Sequence, residues 1–437
     1  EEVPEVLERA FALATSGRPG PVLIDIPMDV QRADIEPPPP SPPAAPGRGG
    51  REVDAAAVVD LLERMEAAER PLILAGGGLR AARAVAAFRG FVTRVGVPVV
   101  HSLLGVDVLP YAHPLRVGMI GSYGNRWANL AIARSDFLLV LGSRLDVRQT
   151  GARTDSFRAG RTIYHIDCEP GEVNNRITGC RAILSELGPF LAAAVGEASG
   201  RPAADRAGWR TELAALQGDH PDTAELRDVP GINPNELMHR LAARSGAATA
   251  FVADVGQHQM WAAQSLELDA AQRFLTSGGM GAMGFALPAA IGAAFANPGR
   301  PVVVIAGDGG FQLNIQELQT VLRNHLPIKM VVLDNRCHGM VRQFQQSYFE
   351  ERYQSTYWGY TAPDFAAVAA AYGIESHLVE DPAGVPAALE RLWADPHAPF
   401  LLHVMIDTFA NAYPKLAFGR TMGEMEPFAQ PLGMEGT

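Results

Sequence analysis

Residues 301–310 read PVVVIAGDGG and residues 328–335 read IKMVVLDN. Each is a run of β-branched and apolar residues that closes on polar groups, and the amphipathic stretch Gln312 to Asn324 between them has a helical period. Strand, helix, strand in this order forms a right-handed crossover, which lays the two strands parallel in one sheet, about 4.8 Å apart when adjacent. Asp308 and Asn335, 335 − 308 = 27 positions apart, then emerge at the same carboxyl edge. That edge is where open α/β sheets bind ligands.

A carboxylate and an amide oxygen converging on one point suit a hard cation. Mg²⁺ takes one or two protein carboxylates and completes its octahedron with water and phosphate oxygens. Gly307, Gly309 and Gly310 let the backbone approach an anion closely. The pair reads as a clamp for a metal diphosphate, against the alternative of an ordinary strand-end turn with an N-capping Asp.

The chain of 437 residues, 47% apolar and 19% charged, is long enough for two or three domains, each with its own core. Its balance of 37 basic and 48 acidic residues gives a net charge of −11 without basic blocks, which argues against nucleic acid and anionic membrane as partners. Cys168, Cys180 and Cys337 are odd in number and lack CxxC spacing, so neither a disulfide framework nor a zinc site is expected. With no signal-like opening and no long apolar run, a cytoplasmic location is expected.

Outward from the clamp, alternating helix and strand patterns predict an α/β protein of successive doubly wound parallel-sheet domains. Residues 1–30 read as a helix from Val3 to Ser16 and a strand over 21–26, too little for a core and so a remnant of a larger domain; 31–52 is a Pro-rich linker. Residues 53–200 form a middle domain with strands near 71–75, 97–100, 136–141 and 162–166, and 201–232 a polar linker. The unit 233–407 opens with helix 233–245 and strand 249–253 and ends with strand 400–406, leaving 408–437 irregular.

GDG followed by one helix, one strand and a terminal Asn resembles the thiamine diphosphate signature. With residues 254–288, DVGQHQMWAAQSLELDAAQRFLTSGGMGAMGFALP, and 339–345, GMVRQFQ, the chain resembles the acetohydroxyacid synthases, or acetolactate synthase catalytic subunits, over nearly its whole length. The resemblance implies thiamine diphosphate and Mg²⁺ as cofactors, with Asp308, Asn335 and the backbone carbonyl of Cys337 on the metal. It implies that Gly256, Gln257, His258 and Gln259 touch the diphosphate. It also implies that the run from Ser277 through Gly281 to Gly284 approaches the coenzyme rings, with Met283 supporting a bent conformation and Met340 beside it.

In the middle domain Gly76, Gly77 and Gly78 after one strand, and Gly142, Arg144 and Asp146 after another, resemble stretches that hold FAD. The family's GMHG reads Gly118-Met119-Ile120-Gly121 here, and the Asp found near the adenine end reads Cys180. Arg148 matches the arginine that meets the carboxylate of a 2-ketoacid substrate, and Phe344 stands where the family has a Trp that favours the longer acceptor.

The activity implied is decarboxylation of pyruvate with transfer of the two-carbon unit to a second carbonyl compound, most simply pyruvate, giving 2-acetolactate for branched-chain amino acid biosynthesis. Transfer to an aldehyde or ketosugar, simple 2-ketoacid decarboxylation or oxidation, and a noncatalytic cofactor-binding subunit are the alternatives. Implied partners are further copies in a homodimer or tetramer, and a small regulatory subunit. The family draws its activating Glu from an amino-terminal pyrimidine-binding domain of the neighbouring subunit. No acid in the remnant matches it, so this polypeptide alone is expected to be inactive.

Overall fold

The computed structural model describes residues 2–16, 18–36, 53–201 and 204–434. Two six-stranded sheets, each wholly parallel, organise it. The first holds β1 (Pro71–Ala75), β2 (Val99–His101), β3 (Arg116–Met119), β4 (Phe137–Leu141), β5 (Thr162–Asp167) and β6 (Arg181–Leu184). Their order is β3-β2-β1-β4-β5-β6. The chain therefore moves outward one way from β1 and then restarts at β4 on its other side, which opens a crevice beyond the carboxyl ends of β1 and β4.

The second sheet holds β7 (Ala250–Ala253), β8 (Arg273–Thr276), β9 (Val302–Gly307), β10 (Ile328–Asp334), β11 (Glu375–Val379) and β12 (Phe400–Met405). Its order is β11-β12-β10-β9-β7-β8, so the reversal falls between β7 and β9. Strands β9 and β10 pair with Gly307 opposite Leu333, which sets Asp308 beside Asp334 and one step from Asn335.

Every residue of β1, β4, β7, β9 and β10 is buried, because helices cover both faces. Strands in that position read as unbroken apolar runs, and the eight expected strands from 71–75 to 400–406 all occur as interior strands or their close equivalents. The four strands without such a signal, β3, β6, β8 and β11, are the four sheet edges.

Three expectations are corrected. Residues 21–26 run extended but pair with no strand among the described residues, and Leu23 is 90% exposed. The helix expected over Gln312–Asn324 is divided into a 3-10 turn at Gln312–Glu317 and an α-helix at Leu318–Arg323, preceded by a short helix Asp308–Phe311, with Asn314 out of helical geometry at φ −132°, ψ 30°.

The polar stretch 201–232 is no free linker: helix Ala207–Asp219 buries Trp209, Leu213 and Leu216 in the same core as Trp127 and Leu138, and the Trp209 indole donates to the Pro71 carbonyl at 3.1 Å. Of the Pro-rich linker, residues 37–52 lie outside the described residues. The tail is largely irregular, yet Lys415–Leu416 pairs with Met425–Glu426, and Leu416, Met422 and Met425 pack into the first sheet's core.

The two sheets are joined by buried polar contacts. Asp107, 3% exposed, accepts from Arg80 at 3.1 Å on its own side and from Arg273 (2.9 Å) and the Phe274 N–H (3.1 Å) across the boundary. Gln264 donates to the Tyr123 carbonyl at 2.9 Å.

Candidate active site

At the carboxyl edge of the second sheet Asp308 is 3% exposed. Its Oδ1 accepts the Gly309 N–H at 2.9 Å, while its Oδ2 is buried without a hydrogen-bond partner. Burial, reinforced by the neighbouring Asp334 carboxylate, pushes the Asp308 carboxyl up to about 7. A buried oxygen of this kind costs stability unless a partner arrives, and a divalent cation would reverse the penalty.

Asn335, 6% exposed, is oriented by a relay of amides. The Ala412 N–H donates to Gln343 Oε1 (2.9 Å), and Gln343 Nε2 donates to the Ala412 carbonyl (3.0 Å). Backbone groups cannot exchange donor for acceptor, so the Gln343 amide has one orientation. Gln257 Nε2 then donates to Gln343 Oε1 (3.1 Å), and Asn335 Nδ2 donates to Gln257 Oε1 (3.1 Å). The Asn335 oxygen is left facing away from Gln257, where it takes only the Cys337 N–H at 3.3 Å.

Among the described residues no three His, Cys, Asp or Glu side chains form a metal cluster. One carboxylate, one amide oxygen and a carbonyl fit Mg²⁺ with phosphate ligands, which needs no such cluster.

The glycines around this pair are there for close packing. A Cβ on Gly307 would lie 2.8 Å from His258 Nδ1, and one on Gly309 would lie 2.9 Å from the His338 ring and 3.4 Å from the Met283 methyl. His258 is buried and held down to about 4, chiefly by burial, so it is neutral. Cys337 is 2% exposed, its Sγ directed at the Thr408 carbonyl (3.5 Å) and its thiol pushed up to about 11 by burial, which removes the reactive-thiol reading.

A cavity of about 800 Å³ lies between the two sheets, towards the upper end of the range for small-molecule sites. Gly77, Gly78, Gly142, Arg144, Asp146 and Arg148 line it from the first sheet, and Gly256, Gln259, Gly281 and Met340 from the second. Asp146 caps the short helix Val147–Thr150 through the N–H groups of Arg148 (3.0 Å) and Gln149 (3.2 Å), which turns Arg148 outward and exposed.

Not all expected residues meet there. Gln257, His258, Met283, Gly307, Asp308, Gly309, Gly310, Asn335 and Cys337 are not among the residues that line the cavity and gather instead around the clamp. Gln257 is committed by both ends of its amide to Asn335 and Gln343, so it orients Asn335 rather than offering a free group. Phe344 stands one helical turn beyond Met340 on helix Gly339–Tyr348, packed on Tyr348 with ring centres 4.7 Å apart.

Gly76 is absent from the lining: a Cβ on it would lie 2.1 Å from the Gly142 carbonyl oxygen, so it serves the backbone contact between the two glycine turns. Cys180 is also absent, buried in the first sheet's core with its Sγ directed at the Ile177 carbonyl (3.3 Å). The lining acids at the carboxyl ends of β5 and β6 are Asp167, closing β5, and Glu186, two residues past β6. Ser122, Tyr123, Arg18 and Arg80 also line it and were not anticipated. A strand read to residue 166 already points to Asp167 as an edge residue; Arg18 and Arg80 carry no local signal.

Family comparisons agree with this architecture. Residues 58–194 match the model of the thiamine pyrophosphate enzyme central domain, and residues 254–404 that of the thiamine pyrophosphate enzyme C-terminal TPP binding domain. These matches make the chain a thiamine pyrophosphate-dependent enzyme.

Among relatives, it is 38% identical over 429 residues to the acetolactate synthase isozyme 2 large subunit of Escherichia coli (strain K12), covering 97% of this chain and 75% of that one. It is 34% identical over 425 residues to the acetolactate synthase large subunit of Lactococcus lactis subsp. lactis (strain IL1403), covering 97% and 73%. It is 33% identical over 446 residues to a probable acetolactate synthase large subunit of Methanocaldococcus jannaschii, covering 100% and 74%. The chain belongs to the acetolactate synthase large-subunit family. Among the described residues no helix is long and apolar enough to cross a membrane.

Proposed function

We propose that this protein condenses two molecules of pyruvate to 2-acetolactate with loss of carbon dioxide. The observation that carries the site reading is the buried, unpartnered Oδ2 of Asp308 near an Asn335 amide whose oxygen is turned from Gln257 and takes only the Cys337 N–H. Asp308, Asn335 and the Cys337 carbonyl would hold Mg²⁺ on the coenzyme's diphosphate, with Gly256 and the start of helix Gln257–Ser265 offering N–H groups to the anion. Thiamine diphosphate, when bound, supplies the electron sink for decarboxylation.

The protein's own task is then orientation. Arg148, exposed at the cavity and free to present its fork, receives the carboxylate of the acceptor 2-ketoacid. Met340 and Phe344, stacked on one helix face, bound the acceptor's side chain. An arginine at that place favours a ketoacid over an aldehyde or sugar.

FAD fits the cavity by size and chemistry. The glycine turns after β1 and β4 stand at the reversal of strand order, where a dinucleotide's phosphates can approach backbone, and Arg18 and Arg144 supply positive charge while Asp167 and Glu186 supply acceptors. The names of the relatives as large subunits support assembly as a multimer with a small regulatory subunit. A cytoplasmic site of action accords with the thiol content.

Full-length enzyme, carrying the pyrimidine-binding domain that supplies the activating Glu, is expected to release acetolactate when incubated with pyruvate, thiamine diphosphate and Mg²⁺, detected as acetoin after acid treatment. Carbon dioxide release without acetolactate would sink the proposal.

A further inference from the structure

Asp254 directly follows β7 at the point where the second sheet's strand order reverses, and it is 1% exposed. Its Oδ1 accepts the N–H of Val255 at 2.8 Å and of Gly284 at 2.9 Å, and its Oδ2 accepts the N–H of Ala286 at 2.9 Å. Helix Ala286–Ala296 has no capping side chain of its own at Phe285, so a carboxylate from another strand closes its first turn. The same carboxylate would meet a Cβ on Gly310 at 2.6 Å, so it is wedged between the loop that carries Met283 and the turn that carries Asp308.

The other end of Gly284 is held as well. Asn314 Nδ2 donates to the Gly284 carbonyl at 2.7 Å, and Gly284 itself sits at φ +82° with Leu313 and Asn314 where a side chain would go. Asn314 is the residue that leaves helical geometry and divides the helix expected from its sequence. A break in a helix costs hydrogen bonds, and here the side chain freed by the break grips one backbone carbonyl next to Met283.

We propose that Asp254 and Asn314 are positioning residues for Met283: they fix both peptide groups of Gly284, and so set where the preceding side chain stands over the Gly309 turn. This rests on the coenzyme reading above, in which Met283 supports the bent coenzyme. Neither residue lines the cavity or is one of the proposed metal ligands, and the effect assigned to them passes through one methionine.

The test is a set of double-mutant cycles in the holoenzyme. Asn314→Ala, which removes the bond to Gly284 and a long one from Gln316 (3.4 Å) at a half-buried site, is expected to lower kcat about tenfold, and Asp254→Asn about 100-fold, the scale of an ångström-sized misplacement. KM for pyruvate and the Kd of thiamine diphosphate are expected to change less than about threefold in Asn314→Ala, because the diphosphate clamp is left intact. In a Met283→Ala background the loss from Asn314→Ala is expected to shrink below about twofold.

If Asn314→Ala keeps unsubstituted kcat, or lowers it equally with and without Met283, the inference is overturned; since that variant leaves helix Ala286–Ala296 capped by Asp254, instability of Asp254→Asn does not protect it. Absence of coenzyme uptake by the unsubstituted protein in the presence of Mg²⁺ overturns the site reading itself, a result distinct from additive losses in an enzyme that binds the coenzyme.

Discussion

Replacing Asp308 by Asn changes one atom, and the surroundings decide its effect. Oδ1 is held by the Gly309 N–H at 2.9 Å and Oδ2 is buried with no partner. An amide that keeps the Gly309 bond must direct its NH₂ group where the cation is proposed to sit, and one that turns over sets NH₂ against the Gly309 N–H. Either way a charged ligand is lost, together with a hydrogen bond to a charged group worth about 1.5–3 kcal/mol.

Loss of a residue that merely supports a metal ligand costs about 10–100-fold in metal affinity. Loss of the carboxylate itself is therefore expected to cost about 1,000-fold, or roughly 4 kcal/mol. Equilibrium dialysis of thiamine diphosphate against Mg²⁺ concentration measures it directly. The metal-free protein is expected to respond in the opposite sense. A buried carboxylate beside Asp334 becomes a neutral amide, so calorimetry with chelator present is expected to show a melting temperature at or above that of the unsubstituted protein. Coenzyme affinity within threefold of the original, or a large loss of metal-free stability, would refute the assignment of Asp308 to the metal.

Cys337→Ala is expected to leave Mg²⁺-dependent coenzyme affinity within about twofold, since a backbone carbonyl is the group proposed to bind; dialysis checks it, and a tenfold loss would point to the thiol. Arg126 makes a buried bidentate pair with Glu225 (2.6 and 2.8 Å) and donates to the Glu426 carbonyl at 3.1 Å, tying helix Arg126–Arg134, the connector and the tail together. Arg126→Ala is expected to cost about 3–5 kcal/mol in unfolding experiments because Glu225 is left buried and unpaired, whereas Arg126→Met with Glu225→Leu recovers most of it.

Lys329 donates to the carbonyls of Asp395 (2.5 Å) and Ala398 (2.6 Å) in the core, where burial lowers its amine to about 8. Between that value and the ordinary 10.5 the unfolded chain binds more protons than the folded one, so this group's contribution rises with pH across the window. The melting temperature of the natural protein, measured against Lys329→Met, is expected to climb from pH 8 to pH 10, and a flat difference would count against the burial argument.

How much of this was legible in the residues follows from where each signal resides. Strands β1, β4, β9 and β10 are buried on both faces, so they read as apolar runs, broken only by Lys329 and the closing Asp334 in β10, and each stands out in the sequence. Asp308 and Asn335 were readable because each directly follows such a run. The sheet edges β3, β6, β8 and β11 are four or five residues long and partly exposed, as in the exposed Arg181 and Ala182 of β6, and they leave no comparable trace.

That omission had a consequence for the site. With β6 unread, its carboxyl end could not be located, and Glu186, which lines the cavity two residues past that strand, went unnoticed while Cys180, before the strand, was compared with the family's Asp. The groups that orient the site were hidden for a different reason. Asn314 reaches Gly284 across 30 positions, and Gln257 reaches Asn335 across 78 and Gln343 across 86. Within its own window Asn314 only looked like a tolerable helix residue. Local propensity and tertiary hydrogen bonding disagree at that one position, and such a disagreement, resolved against the helix, is where function is to be sought.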